Sequence, residues 1–261
     1  MQDSDLDQLR RLEPTDAYFA AAAARGVEMV VAGPFRLLAD PHAGALDEVV
    51  PVEPLGGEDV AADAVRELRR LLVEEGRAAE LAFNDPLFPG LPPVLEAEGF
   101  VEHDREPIML CTPQAFRPVL APGIAVRFLR GADPDADLAA YRAIFSSVMG
   151  MDLWTSSDDV RSEVARGMDR THALATVDGE PAGTGYISSF DGVAEITRVS
   201  TLPEARRRGV AATLTSFMVG DRFASEDTLV WLTAQNPAAQ ALYEKLGFRR
   251  AGARRYYRVA P

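Results

Sequence analysis

Three arginines and a glycine stand directly before an apolar helical pattern in the second half of the chain. Arg206–Arg208 are followed by Gly209 and then by the predicted helix Val210–Phe223. The first turn of a helix leaves backbone N–H groups unpaired and carries the positive end of the helix dipole, so it attracts anions. Gly209 would let the backbone approach a phosphate closely, and guanidinium groups bind phosphate oxygens through paired hydrogen bonds.

Two interpretations of this loop follow from the residues. Three arginines in an acidic chain are compatible with a solvated loop that binds nothing. The order strand, basic loop, glycine and helix instead favours a site for a pyrophosphate group. We therefore predict that the loop binds phosphate.

Two motifs in the same half resemble the signatures of the GNAT N-acetyltransferases. The first is Arg206-x-x-Gly209-x-Ala211, which resembles the family pattern Q/R-x-x-G-x-G/A. Alanine at its last position, where many relatives have glycine, is a permitted variant. The second motif begins at Asn236 and runs through Tyr243 to a Gly-Phe pair. The two motifs occur in the family's order, which makes the resemblance specific.

The resemblance covers residues 124–261 and implies a GNAT-like acyl-CoA N-acyltransferase fold, an α/β fold with a mixed sheet. In this fold the strands Glu195–Thr201 and Leu229–Thr233 splay apart, and acetyl-CoA lies between them as the cosubstrate. Its pantetheine arm is expected to pair with the first strand as an added strand. The cofactor-binding residues that the resemblance implies are Val199, Thr201, Arg206, Arg207, Arg208, Gly209, Val210, Ala211, Ala212 and Asn236.

Acyl transfer to an amine requires a base. An alkyl amine has a pKa of about 10.4, so it is mostly protonated at neutral pH. Glu195 lies on the predicted central strand and resembles the general base of the histone-acetylating branch of the family. An exposed strand glutamate without a catalytic role is the alternative. On the resemblance, Glu195 is a candidate catalytic base.

The second motif supplies a candidate acid. Tyr243 resembles the tyrosine that many relatives place beside the CoA sulfur, where it protonates the departing thiolate. The alternative is an aromatic residue that packs an amphipathic helix on the sheet. Asn236 resembles a residue near the pantetheine arm, and an Asn-Pro pair is also an ordinary helix N-cap. Both roles of Asn236 are compatible with each other.

Composition excludes several classes of function. The net charge of −13 argues against nucleic acid as a general partner, because binding to a phosphate backbone needs a basic face. The single cysteine, Cys111, excludes an intrachain disulfide and fits a reducing cytoplasm. No signal peptide and no membrane-spanning apolar run is evident, and the few histidines show no metal-ligand spacing. We predict a cytoplasmic protein without a membrane partner or a metal.

Local patterns divide the chain and place its elements. Residues 112–124 are rich in proline with little apolar periodicity, so we interpret them as a linker and predict domains at 1–115 and 124–261. Asp178-Gly179 between two alternating apolar runs predicts a tight hairpin. Apolar residues at helical spacing predict a helix at Val60–Glu75, and Ile108–Cys111 is predicted as the last strand before the linker.

A faint internal repeat relates the two halves. The segment 79–100 resembles the segment 230–248, since each runs from a strand through a short helix to a Gly-Phe pair. We interpret the first half as a second, degenerate GNAT-like domain in tandem with the catalytic one. Its loop 52–59 carries acids that would repel pyrophosphate, and Leu95 stands where Tyr243 stands in the other half. An unrelated accessory α/β domain is the alternative.

Two functions remain open at this point. The first is an N-acetyltransferase that moves the acetyl group of acetyl-CoA to a primary amine by direct attack in a ternary complex. The second is a catalytically silent acyl-CoA-binding regulatory module. Retention of both Glu195 and Tyr243 favours the enzyme, because a binding module needs neither. The acceptor is a small-molecule amine or a protein amino group, with cationic amines favoured by the acidic surface; the sequence does not indicate an oligomeric state.

Overall fold

The computed structural model describes residues 3–24, 26–39, 47–52, 58–74, 76–150, 152–166 and 170–259. The chain divides into two compact units. Unit 1 consists of Met1–Ile108 and Ala251–Pro261, and unit 2 of Met109–Arg250. Residues 124–261 were predicted as one domain; within that range, Ala251–Pro261 belongs to unit 1.

The elements are numbered along the chain. The helices are α1 Asp3–Arg10, α2 Asp16–Ala24, α3 Glu58–Glu74, α4 Leu91–Ala97, α5 Asp135–Met149, α6 Ser157–Arg166, α7 Val210–Ala224 and α8 Pro237–Lys245. The strands are β1 Glu28–Ala32, β2 Phe35–Ala39, β3 Asp47–Pro51, β4 Ala79–Asn84, β5 Phe100–Cys111, β6 Ile124–Phe128, β7 Arg170–Val177, β8 Glu180–Phe190, β9 Val193–Thr201, β10 Leu229–Thr233 and β11 Arg249–Val259.

Unit 1 is a mixed sheet that buries one face of a long helix. Strands β1, β2 and β3 are antiparallel neighbours, β3 and β4 are parallel, and β4 pairs with β11 in the antiparallel direction. Val65, Leu68 and Leu72 of α3 are buried among side chains of β2, β3 and β4. Their helical spacing is the signal that predicted this helix, and the prediction is confirmed; Glu75 lies outside the described residues.

Unit 2 contains the strand order β10-β9-β8-β7-β6. Strands β6 to β9 are antiparallel neighbours, and β9 and β10 are parallel. The hairpin between β7 and β8 turns at Asp178 and Gly179, whose φ angles of 53° and 94° are those of a primed turn. The predicted hairpin is therefore confirmed.

The two faces of the unit 2 sheet are covered by different helices. On one face, Ala194 and Ile196 of β9 pack with Leu214 and Met218 of α7. On the other face, the side chains of α5 and α6 pack against β7 in a cluster that includes Phe145. Helix α7 thus covers one face of the sheet, and α5 with α6 covers the opposite face.

Two predictions about the middle of the chain need correction. Strand β5 begins at Phe100 and not at Ile108, because its first part alternates charged residues that hide the strand pattern. The proline-rich segment predicted as a linker is bonded to unit 2. The N–H groups of Val119 and Ala121 donate to hydroxyl groups of α7 at 2.9 and 3.0 Å. Proline spacing alone does not distinguish a linker from such an ordered strap.

Candidate active site

Helix α7 begins directly after a glycine with a left-handed backbone. Gly209 has a φ of 94°, and its carbonyl oxygen accepts from the N–H of Thr213 at 2.9 Å. A Cβ atom at Gly209 would lie 2.7 Å from the Cβ of Ala121. Both the backbone conformation and the close approach therefore require glycine at this position.

The turn around this glycine presents a row of backbone donors. Among the residues that the structure describes, none of the N–H groups from Arg207 to Ala212 donates a hydrogen bond to the protein. The row includes the predicted residues Gly209, Val210 and Ala211. It coincides with the positive end of α7, so its geometry and its electrostatics both suit a phosphate group.

The three arginine side chains before the helix are exposed. Arg206 Nε lies 3.4 Å from the carbonyl oxygen of Thr201. Arg208 Nη2 lies 2.8 Å from Asp178 Oδ2 in an ion pair whose two side chains are 51% and 69% exposed. Exposed ion pairs contribute only about 0–1 kcal/mol, so this pair can open when a stronger anion arrives. Arg207 adds a left-handed backbone, with a φ of 61°.

Strands β9 and β10 pair only at their beginnings. The paired positions end with Glu195 of β9 and Trp231 of β10, and β9 continues from there to Thr201. Over that continuation the described residues provide β9 with a neighbour on one side only, which is β8. The backbone edge that includes Val199 and Thr201 can therefore accept an added extended chain, as the sequence analysis expected of a pantetheine arm.

Glu195 occupies the point where the two strands part. Its backbone lies between Ser188 of β8 and Trp231 of β10, and its side chain is half-buried. Residues directly opposite each other in an antiparallel pair share a face. Glu195 therefore faces the α5 side of the sheet, together with Thr197 and Tyr186, which are also paired.

A bulge interrupts β9 just beyond Glu195. The pairing with β8 shifts register between Thr184 and Tyr186, so that two residues of β9, Arg198 and Val199, stand opposite one residue of β8. Arg198 has a φ of 56°. A left-handed backbone at a non-glycine residue is strained by about 1–3 kcal/mol and is concentrated at functional sites. Bulges redirect side chains next to active sites in the same way.

The second motif lies after β10. Asn236 caps α8, because its Oδ1 accepts from the N–H of Ala239 at 2.9 Å. Tyr243 is 8% exposed and packs in the core of unit 2, with its ring centroid 5.8 Å from that of Phe248. The N-cap role of Asn236 and the packing role of Tyr243 are thus observed; the cofactor and acid roles remain predictions. Strands β9 and β10 are parallel, so both end at the same edge of the sheet. The loop 206–209 before α7 and the start of α8 therefore lie at that edge.

A buried imidazole lies on the α5 side of the sheet. His172 is 2% exposed, and its Nδ1 lies 2.9 Å from the hydroxyl oxygen of Tyr141. Burial lowers the pKa of His172 to about 4; Glu163 opposes this shift, and Arg170 and Arg198 add to it. The ring is therefore neutral at neutral pH. Sequence analysis had no signal for this cluster beyond the presence of a histidine in a strand.

Arg198 lies on the same side of the sheet and was not singled out from the sequence. Its guanidinium lies 5.4 Å from the ring centroid of Phe145 and 5.9 Å from that of Tyr186. A charged residue within an apolar strand was the available signal, but the residue's direction depends on the bulge. Among the described residues no group of three or more metal-ligating side chains occurs, and no helix there is long and apolar enough to cross a membrane.

Comparison with known proteins places this site in a family. The model of the acetyltransferase (GNAT) family matches residues 141–248, which include β9, α7, β10 and α8. A search of curated proteins finds no match to this sequence. The matched segment contains Glu195, Gly209 and Tyr243.

Several solved structures are similar to the chain. A GCN5-related N-acetyltransferase from Kribbella flavida matches with a TM-score of 0.74 at 24% identity, over 94% of this chain and 95% of that chain. A tandem GNAT protein from the clavulanic acid biosynthesis pathway, solved without AcCoA, matches with a TM-score of 0.63 at 17% identity, over 87% and 79%. A GCN5-related N-acetyltransferase from Sphaerobacter thermophilus matches with a TM-score of 0.64 at 17% identity, over 87% and 78%.

At these identities the structures show the fold, and the predicted α/β GNAT-like fold is confirmed. The family model adds the chemistry of the class, which is acyl transfer. Residues 141–248 are therefore a domain of the GNAT acetyltransferase family, and the chain is an acyltransferase with a GNAT-like fold.

Proposed function

We propose that unit 2 transfers an acetyl group from acetyl-CoA to a primary amine by direct attack within a ternary complex. The row of unbonded N–H groups from Arg207 to Ala212 carries the proposal, because it follows directly on the open edge of β9. A pyrophosphate with an extended arm fits both features at once. The loop would bind the pyrophosphate, and Val199 with Thr201 would pair with the arm.

Two side chains would move protons in this reaction. Glu195 would accept a proton from the ammonium form of the acceptor, since it stands where the strands part. The neutral amine then attacks the thioester carbonyl carbon, the C–N bond forms and the C–S bond breaks. Tyr243 would donate its proton to the departing sulfur, and a second proton from the amine nitrogen would leave to solvent. The products would be an N-acetylated amine and CoA.

The proposed acceptor is a small-molecule amine or a protein amino group, and the proposed location is the cytoplasm. The chain has one cysteine, Cys111, and therefore no intrachain disulfide, which is compatible with a reducing location. Burial also raises the pKa of its thiol to about 12, so Cys111 is a poor nucleophile for a covalent acyl-enzyme. This supports direct attack by the amine.

The first experiment follows thiol release from acetyl-CoA with a panel of primary amines. Amine-dependent release is expected, and Glu195→Gln should lower it by about 100-fold or more near pH 7, with a smaller loss at high pH where the amine is already neutral. Glu180→Gln is the matched control, because Glu180 is an exposed strand glutamate at the start of β8.

The other outcomes have distinct meanings. If acetyl-CoA raises the melting temperature but no amine releases thiol, the domain is a binding module. If acetyl-CoA neither binds nor reacts, the assignment of the α7 loop to pyrophosphate is wrong. Equal activity in Glu195→Gln and Glu180→Gln would remove Glu195 from the mechanism and leave the transfer itself intact.

A further inference from the structure

The bulge in β9 turns an arginine into the layer between the sheet and α5. In a regular strand, Arg198 would face the side opposite to Thr197. With its φ of 56° it instead lies over the rings of Phe145 and Tyr186, both on the α5 side. The backbone strain at Arg198 therefore places a positive charge on the same face as Glu195.

The guanidinium of Arg198 has no polar partner in the part of the chain that the structure describes. No carboxylate oxygen lies within 4.0 Å, and none of its N–H groups donates a hydrogen bond to the protein. Its contacts are the two aromatic rings. The residue is half-buried, so these donors are only partly available to solvent. None of its nitrogens is among the fully buried polar atoms that lack a partner, so an anion from outside can reach its five donors.

The neighbouring Arg170 provides an internal comparison. Its guanidinium lies 5.7 Å from the centroid of the same Tyr186 ring, and its Nη1 lies 3.6 Å from Glu163 Oε1. Arg170 therefore has a carboxylate partner within the protein. His172 beside them is neutral and offers no negative charge. Of the two guanidiniums at Tyr186, Arg198 is the one left for an external anion.

From this arrangement we infer that the acceptor amine carries a carboxylate, and that Arg198 binds this carboxylate while Glu195 faces the amino group. The inference rests on the proposed function and specifies its substrate class as amino-acid-like amines. Both residues lie on one face of one strand, three positions apart. A planar guanidinium pairs with a carboxylate through two parallel hydrogen bonds, so it selects this group over a neutral one.

Cationic amines, which the net charge of −13 favours, are not the acceptors that Arg198 favours. The acidic surface favours cationic amines such as polyamines at long range. A polyamine would place a second ammonium group beside Arg198, where like charges repel. The local charge at the bulge therefore selects against the acceptors that the overall charge attracts.

The test compares amines in pairs that differ only by the carboxylate. The pairs are L-phenylalanine with 2-phenylethylamine, L-leucine with 3-methylbutylamine, L-lysine with cadaverine, and 4-aminobutyrate with propylamine, each at saturating acetyl-CoA. We expect kcat/KM to favour the carboxylate member of at least one pair by about 10-fold to 100-fold, mainly through KM. Arg198→Met should reduce that ratio to near one and keep activity on the plain amine. Arg198→Lys should give an intermediate ratio, because an ammonium group lacks the paired donors.

Arg170→Met is the matched control, since Arg170 lies at the same ring but has its own carboxylate. It should keep the wild-type ratio. The inference is overturned if the wild-type enzyme prefers no carboxylate member of any pair. It is also overturned if Arg198→Met lowers kcat equally for both members, which would place Arg198 at the thioester.

A binding measurement separates this inference from the proposed function. With CoA present, N-acetyl-L-phenylalanine or N-acetyl-L-leucine should raise the melting temperature of the wild-type protein more than the N-acetylated plain amine does. The difference should disappear in Arg198→Met. If no amine releases thiol but this difference is found, the proposed transfer fails and the carboxylate site stands. Equal shifts for both products overturn the carboxylate site.

Discussion

Units 1 and 2 present the same order of elements around a parallel strand pair. In unit 1 the chain passes through β3, α3, β4 and α4, and in unit 2 through β9, α7, β10 and α8. In both cases the helix connects two neighbouring parallel strands, and antiparallel strands precede them. The shared order supports the interpretation of the chain as a tandem repeat, and the structural likeness to a tandem GNAT protein agrees with it.

The two parallel pairs differ where a site would lie. In unit 2, β9 leaves β10 after Glu195 and continues to Thr201. In unit 1, β3 ends at Pro51, soon after its last paired residue. The end of β4 carries Asn84, which is fully buried and donates to Glu13 Oε1 at 2.7 Å.

The shared topology of the two parallel strand pairs does not by itself make a site. Among the described residues, unit 2 leaves backbone donors and a strand edge without a partner, whereas the end of β4 in unit 1 is occupied by the Asn84 side chain bonded to Glu13. Leu95, which was predicted to occupy the position of Tyr243, is fully buried in the unit 1 core. Residues 53–57 of the acidic loop lie outside the described residues, so the loop's role in excluding phosphate stays a prediction.

The largest expected effect is the loss of acetyl-CoA affinity when Gly209, directly before α7, is replaced. Gly209→Glu adds a side chain at a φ of 94°, a Cβ 2.7 Å from Ala121, and a negative charge at the phosphate loop. We expect the Kd for acetyl-CoA to rise by at least about 100-fold, because charge and shape both oppose the ligand. Isothermal titration measures this effect.

Gly76→Glu in unit 1 is the control, since Gly76 also has a positive φ, of 61°, and no atom within 4 Å of a Cβ there. It should cost some stability without changing the Kd. Equal loss of acetyl-CoA affinity in the two variants would contradict the assignment of the cofactor loop to unit 2.

Buried tyrosines provide the next comparison. Tyr243→Phe should lower kcat by about 100-fold at unchanged acetyl-CoA affinity, since general acid catalysis contributes about that much. Tyr257→Phe in unit 1 removes a buried hydroxyl that donates to Glu96 Oε1 at 3.2 Å and also contacts Arg255. That variant should lose about 1–3 kcal/mol of stability and keep kcat. Steady-state kinetics and urea unfolding measure both, and an unchanged kcat in Tyr243→Phe would reduce Tyr243 to a packing residue.

Unit 2 should become less stable in acid because of His172. Its pKa is lowered from 6.5 to about 4 in the folded protein, mainly by burial. The unfolded chain therefore binds a proton more readily between these values. As the pH falls from about 6.5 to 4, this residue should reduce the free energy of unfolding by up to about 3 kcal/mol. His172→Gln should flatten that part of the curve, and an identical pH profile for the variant would argue against a neutral buried imidazole.

Unit 1 should show an effect of similar size and opposite sign. Burial raises the pKa of Glu13 from 4.5 to about 7, against the opposing influences of Arg254 and Asn84. Below pH 4.5 Glu13 is neutral in both states and does not reduce the free energy of unfolding. As the pH rises towards 7 the unfolded chain loses this proton first, so the free energy of unfolding falls. Glu13→Gln should therefore gain up to about 3 kcal/mol relative to wild type between pH 4.5 and pH 7. Urea unfolding at several pH values checks the sign, and a gain in acid instead of near neutrality would contradict it.

Short-range patterns accounted for the elements that were predicted correctly. The spacing of apolar residues in α3 and the Asp178-Gly179 pair depend on neighbours within a few positions, so they are visible in sequence. The predicted strand was too short because the first part of β5 contains charged residues, which do not give an apolar strand pattern. Two of them, Arg105 and Glu102, bond to each other in the folded strand. The supposed linker was bonded to α7 by residues about 90 positions away in sequence, such as Ala121 with Thr213.

The sequence by itself identified the family and predicted phosphate binding at the loop before α7. The reason is that Arg206, Gly209 and the start of α7 are contiguous, and a helix N-terminus has the same donors and the same dipole wherever it occurs. Only the tertiary structure decided that β9 parts from β10 at Glu195 and that a bulge turns Arg198 towards Phe145 and Tyr186. Those features depend on the register between strands and on a helix far away in sequence, which no local pattern encodes.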